Sequence, residues 1–347
     1  MKPTLHRLLI CLVLCLLPSL ISAQNKVIMS KYQSDLQLLF DQVYYAPTEA
    51  ERFRASEEAL TLFGQAMGEE NSFRWQWDFG SLVSVLTAPD GKFRIVTWHV
   101  MDDSYEYECF GLLQVYSEKA EGYVVHTLVD RSADMVNRQE STLTVDNWFG
   151  AVYQELITTT HDGKSYYTLL GWSGVDCLTQ RKVIEPLTFK GNAATPQFGM
   201  PLFKKERNLR RIVLEYRVDA MVNLRYEEQF VQTVERVRPK KSNNRRGNKP
   251  RRRSLFFGPR QTPATQTPNE IVHESKERMI IFDEVAPQVT GMEGLFQYYV
   301  PSGVEMAYVW DNGKWVLRSG AQGRVADKKL NKEFSPIEKQ PPAYLLK

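Results

Sequence analysis

The sequence predicts a mainly β protein, an antiparallel sandwich or multi-sheet meander with a propeller-like arrangement as second choice, behind a short N-terminal helical hairpin. Three observations predict it. Runs rich in β-branched and aromatic residues recur from Phe73 to Leu317. Asp-Gly or Asn-Gly pairs stand between apolar runs at Asp90-Gly91, Asp162-Gly163 and Asn312-Gly313, and these residues tolerate the positive φ that tight hairpins need. No strands alternate with long helical stretches, which argues against a parallel sheet. The chain has 347 residues, 43% hydrophobic and 24% charged, enough to bury a real core.

Residues 1–23 read as a secretory signal. Lys2 and Arg7 give a positive start, Leu8 to Leu17 an apolar run, Pro18 a break, and Ala23 a small residue before Gln24. The run is short for a membrane span, which needs ~20 residues. No later stretch approaches that length, so the expected product is exported, with no transmembrane span in the mature chain: periplasmic, outer-membrane associated or extracellular. Two cysteines then remain, Cys109 and Cys177. An exported chain sits where disulfides persist, and this bridge would be worth ~4 kcal/mol in the chain-entropy model. Cys109 also falls on the tyrosine parity of Tyr105-Glu106-Tyr107-Glu108-Cys109, so a separate buried thiol fits equally well.

Residues 24–70 read as two helices. Leu36, Leu39, Phe40, Val43 and Tyr44 recur at helical spacing. Ala46-Pro47 stops the first helix, and Thr48-Glu49-Ala50-Glu51 is a capping box for the second. Phe53, Leu60, Phe63 and Met67 line one face, and Gly68 marks the end. Packing on the main domain is the preferred reading, and docking to another protein the alternative.

Residues 71–238 and 277–319 form the expected β domain. Strands are read at Phe93 to Trp98, Leu112 to Tyr116, Tyr123 to Val129, Ala151 to Thr159, Tyr166 to Gly171 and Tyr308 to Leu317. From Ile212 to Tyr226 every even position is apolar or aromatic. That pattern predicts one long bent strand, or a hairpin with a three-residue loop at Asp219 to Met221 that sets Val218 opposite Val222.

Residues 239–276 read as a disordered basic insertion and 320–347 as a flexible tail. Eleven of the 44 basic residues lie between Arg236 and Arg260, a stretch without an acid, and two more lie in the signal. The remaining 31 face 41 acids, a net of −10, so an acidic body carries a basic arm. Lys240, Lys241, Arg245, Arg246, Arg251, Arg252 and Arg253 are the candidate anion-binding residues, followed by Leu255-Phe256-Phe257. Such charge density draws polyanions by counterion release, and phenylalanines can enter a membrane surface. The expected partners are an envelope protein or an anionic surface polymer. A solvated linker and an arm docked on the acidic body are the two bland alternatives. There is no specific nucleic-acid motif.

Catalytic constellations are weak, and the catalytic residues are unknown. Gly171-Trp172-Ser173-Gly174-Val175 lacks the last glycine of a nucleophile elbow, and strands rather than a strand and a helix flank it. His99, His126, His161 and His273 form no zinc-type spacing. No cofactor or metal is implied. Among six tryptophans read near strand ends and turns, Trp75, Trp77, Trp148, Trp172, Trp310 and Trp315, core packing is preferred, with Trp148 and Trp172 as candidate glycan-stacking platforms.

On these residues the chain resembles a family of uncharacterised exported proteins of the Bacteroidota. The stretches are Ser72 through Asp78, Leu86 to Trp98, Asp146-Asn147-Trp148-Phe149-Gly150, Tyr166 to Asp176, Phe198 to Phe203, Arg211 to Glu227 and Tyr299 to Leu317. The resemblance covers most of the mature chain and implies no established activity. Phe282-Asp283-Glu284-Val285 departs from a Phe-Asp-His-Leu pattern, and Ser173 stands where a second acid is expected. Both departures weaken histidine or carboxylate chemistry. The expected function is a non-catalytic envelope or cell-surface protein that binds macromolecules. A glycan-binding module or glycan-acting enzyme and a purely structural partner in an envelope assembly are the alternatives.

Overall fold

The computed structural model describes residues 25–204, 206–237 and 269–319. The signal segment, the candidate basic residues Lys240 to Arg253 and the tail lie outside them. The described chain is mainly β, with three antiparallel sheets and two N-terminal helices. It divides into two compact units, one from Glu228 to Arg278 and one from the residues on either side.

The larger unit is layered in chain order. Helix α1 (residues 25–45) and α2 (Glu49–Gly68) come first. The Thr48 hydroxyl accepts from the Glu51 N–H, and the Glu51 carboxylate accepts from the Thr48 N–H, closing the capping box. Gly68 is the last helical residue, but no left-handed glycine ends the helix. Glu69 leaves in an extended conformation. The buried carbonyl of Met67, in the last turn, instead accepts from Ser72 Oγ at 2.6 Å and Gln114 Nε2 at 2.7 Å.

Sheet 1 runs β1 (Ser84–Thr87), β2 (Phe93–Met101), β3 (Tyr107–Ser117) and β4 (Gly122–Val129), paired in that order. Sheet 2 runs β5 (Val152–His161), β6 (Lys164–Gly174), β7 (Thr179–Lys190) and β8 (Thr195–Phe198), and β9 (Ile212–Arg217) also pairs with β7. Sheet 3 runs β10 (Leu224–Val237), β11 (Asn269–Pro287), β12 (Tyr299–Asp311) and β13 (Lys314–Ser319).

Three cores separate the layers. Phe40, Phe63, Val96, Trp98 and Leu112 join the helices to sheet 1. Ile95, Leu113, Tyr153, Leu169 and Val183 join sheet 1 to sheet 2. Leu170, Ile184, Leu214, Ile280, Tyr308 and Trp315 join sheet 2 to sheet 3. Side chains alternate between the faces of a strand, so a sheet covered on both sides buries both parities. β2 does so: its even residues Val96, Trp98 and Val100 meet the helices, while Phe93 and Ile95 meet sheet 2. The Trp98 indole N–H donates to Ser56 Oγ at 2.8 Å and pins α2 in place.

Two of the three turn signals make two-residue turns with both residues at positive φ, the primed geometry that matches strand twist. Asp162 and Gly163 (φ 49° and 72°) join His161 to Lys164, and Asn312 and Gly313 (φ 50° and 75°) join Asp311 to Lys314. At Asp90-Gly91 only the glycine is left-handed, and the loop is wider.

The reading of residues 212–226 needs correction. They form neither one strand nor a hairpin: β9 ends at Arg217 on sheet 2, and β10 begins at Leu224 on sheet 3. The even-numbered pattern survives because Ile212, Leu214, Tyr216 and Val222 all enter the same core, which the chain crosses between the two sheets. The insertion boundary also moves: residues 269–276, read as disordered, belong to β11. The smaller unit contains the outer parts of β10 and β11, where Lys276 pairs with Glu228 at 3.2 Å and lies over the Phe230 ring.

Candidate functional site

The predicted glycan platforms are not available for stacking. Trp148 is 0% exposed, and its indole N–H donates to Tyr153 Oη at 2.8 Å. Tyr153 donates to Glu185 Oε2, and Arg211 Nε donates to Glu185 Oε1 at 2.5 Å. Arg211 also reaches the Arg138 and Ser141 carbonyls. Trp148 thus belongs to a polar chain sealed within the larger unit, with Glu185 and Arg211 wholly buried. Trp172 is 6% exposed, and its N–H donates to Gln180 Oε1 at 2.7 Å. Gln180 in turn donates to the Val218 carbonyl at 2.7 Å. Large aromatic area and a satisfied polar tip both favour burial at these positions.

The cysteines do not pair. Cys109 is buried in the core between sheets 1 and 2, and Cys177 is exposed in the β6–β7 turn. Burial pushes the Cys109 thiol well above its ordinary value, with Asp130 and Glu108 adding to the effect, so it is no nucleophile. Ser173 is buried within β6, and its hydroxyl reaches only the Gly174 carbonyl. Among the described residues no three His, Cys, Asp or Glu side chains gather in a group that could hold a metal ion.

The structure instead brings together a set of residues that the sequence reading left apart. His99 and Tyr107 lie at one end of sheet 1, their rings 5.5 Å apart. Trp172 of sheet 2 meets both edge-on, at 5.1 Å and 5.4 Å. Tyr107 packs on bare backbone: a Cβ on Gly174 would fall 2.3 Å from its ring. Tyr44 of α1 closes the other side of His99 at 5.4 Å.

Lys182 lies directly opposite Trp172 on β6 and opposite Leu214 on β9, so all three share one face of sheet 2. His99, Tyr107 and Lys182 each keep part of their surface open. Burial lowers the His99 imidazole to about 4, and its Nδ1 is enclosed without a hydrogen-bond partner. Burial alone lowers the Lys182 ammonium to about 8.

This niche was hard to find in the sequence. Lys182 stands in Gln180-Arg181-Lys182-Val183, where a basic pair reads as surface, and His99 ends an apolar strand. Only the register of β6, β7 and β9 puts the lysine beside an indole. No family model, curated protein or solved structure matches this chain.

Proposed function

We propose that the protein is a non-catalytic, exported envelope or cell-surface protein that binds anionic macromolecules through the basic segment between β10 and β11. The observation that carries this reading is the segregation of charge. Eleven basic residues and no acid fall between Arg236 and Arg260, and the rest of the mature chain is acidic. The ribbon of Glu228–Arg278 supports it as a compact unit of its own. About ten residues per strand give it ~33 Å of length, with the basic segment joined to both strands. Export and membership of the Bacteroidota family belong to the same proposal and rest on residues 1–23 and on the stretches named above.

The test is a salt titration of binding to an anionic glycan and to anionic lipid vesicles. Affinity should fall steeply with ionic strength, because each neutralised charge releases counterions. Deleting residues 239–260 should abolish it. Binding indifferent to salt, or unchanged by the deletion, would remove this function.

A further inference from the structure

We propose that an aromatic platform at one end of sheet 1 holds a single residue of an acidic sugar: Tyr116 and Tyr123 carry the pyranose ring, and Lys92 and Arg74 take its carboxylate. The platform lies wholly in the larger unit and is independent of the basic segment.

It exists because the helical layer stops short. Tyr116 lies on the face of β3 that Leu112 turns to the helices. Two residues before it, Gln114 already meets the last turn of α2 at the Met67 carbonyl. Past that point the short helical turn Ser72–Arg74 continues the layer, with the Phe73 ring flat against Tyr123 at 4.0 Å. Tyr123 stands directly opposite Tyr116 on β4, their rings 5.5 Å apart and steeply inclined. Tyr116 remains 40% and Tyr123 39% exposed.

These rings are held in place. Tyr123 Oη donates to the Gly91 carbonyl at 2.9 Å. Arg94, buried beneath, lies 4.9 Å from the centre of the Phe73 ring and donates to the Ser72 and Phe73 carbonyls at 3.3 Å and 2.7 Å. That fixes the turn on which Phe73 rides. Groups already ordered lose little freedom when a ligand arrives.

Charge chooses the occupant. Lys92 Nζ sits 5.9 Å from the centre of the Tyr116 ring and donates to the Tyr116 carbonyl at 3.1 Å. Arg74 is exposed and close enough to Tyr123 to act on its phenol. Among the described residues Arg74, Lys92 and Arg94 form no ion pair. The carboxylate of Asp90, two residues before Lys92, already accepts from Tyr167 Oη at 2.5 Å and from the Lys92 N–H at 3.1 Å. An aromatic face is negative and attracts the C–H edges of a sugar ring. A carboxylate on that same ring would meet the unpaired cations at the rim, which a neutral sugar would leave unanswered.

The full chain is labelled with 13C in its tyrosine rings, and Tyr116→Phe and Tyr123→Phe assign the two resonances. Sodium methyl glucuronide, methyl glucoside and sodium acetate are titrated in turn. For one sugar residue the dissociation constant should be about millimolar. Both resonances should shift saturably with the glucuronide, at least ~threefold more weakly with the glucoside, and not with acetate. Lys92→Met combined with Arg74→Met should bring the glucuronide down to the level of the glucoside. Tyr123→Ser, read at Tyr116, should weaken it ~tenfold. Rings unmoved by the glucuronide, moved equally by the glucoside or acetate, or indifferent to loss of the two cations overturn the proposal. Residues 239–260 contain no tyrosine, so these resonances report on the platform alone and the two sites succeed or fail separately.

Discussion

At the scale of single residues, the sealed pair Glu185–Arg211 should dominate the response to mutation. Removing one partner strands a charge with no water, at a cost of ~3–5 kcal/mol. Glu185→Gln should therefore destabilise severely in urea unfolding. The double variant Glu185→Gln, Arg211→Met should cost less than the sum of the two single variants, because the second change removes the charge that the first leaves stranded. His99 sets a pH dependence. Its folded value of about 4 lies below the ordinary 6.5, so the unfolded chain binds the extra proton first as pH falls. Stability from this group is complete above pH 6.5 and is lost between 6.5 and about 4, by up to ~3 kcal/mol less what solvent at its open edge screens. Unfolding at pH 7.5, 5.5 and 4.5 should show a shallower loss in His99→Phe than in the parent. His126, also lowered by burial, adds a slope that both proteins share. Little of this was legible beforehand. A charged residue read alone looks exposed, and only strand register reveals that Glu185 faces Leu169 across β6 and that Lys182 faces Trp172.

At the scale of elements, local rules were much more informative. The Thr48 box, the Asp162-Gly163 turn and the Asn312-Gly313 turn each depend on a few neighbouring residues, and all three formed where the sequence placed them. Those two glycines should nonetheless differ in tolerance. Both sit at positive φ, which costs an alanine ~1–2 kcal/mol. A Cβ at Gly163 would meet open space, whereas at Gly313 it would fall 2.6 Å from the His161 ring. Gly313→Ala should thus lower the melting temperature further than Gly163→Ala, and equal shifts would show that His161 simply moves aside. β7 was missed because Arg181, Lys182, Glu185 and Pro186 make it a poor strand by composition. Its proline is accommodated by position. The Pro186 carbonyl accepts from Gly199 on the side where β9 pairing stops at Ile184 and β8 pairing starts at Leu187, so the absent N–H falls in the gap. Residues 212–226 mark the opposite limit: alternation reported the face correctly but could not distinguish one sheet from two sheets that share a core.

At the scale of the larger unit, the mainly β class and the helical hairpin were evident from periodicity, while the order of the layers was not. Sheet 1 is covered on both faces, which makes the helices a structural requirement and not an appendage. A chain lacking residues 25–70 would expose Val96, Trp98, Val100, Phe110 and Leu112 together, a continuous apolar face of the kind that drives association. Light scattering should show it aggregating at concentrations where the intact chain stays monodisperse. The layers also follow the chain: helices, then sheet 1, then sheet 2, then sheet 3, each packed on the one before it. A polypeptide emerging from the ribosome amino end first would find every newly made layer's docking surface already in place, so assembly can advance as a zipper without waiting for the carboxyl end.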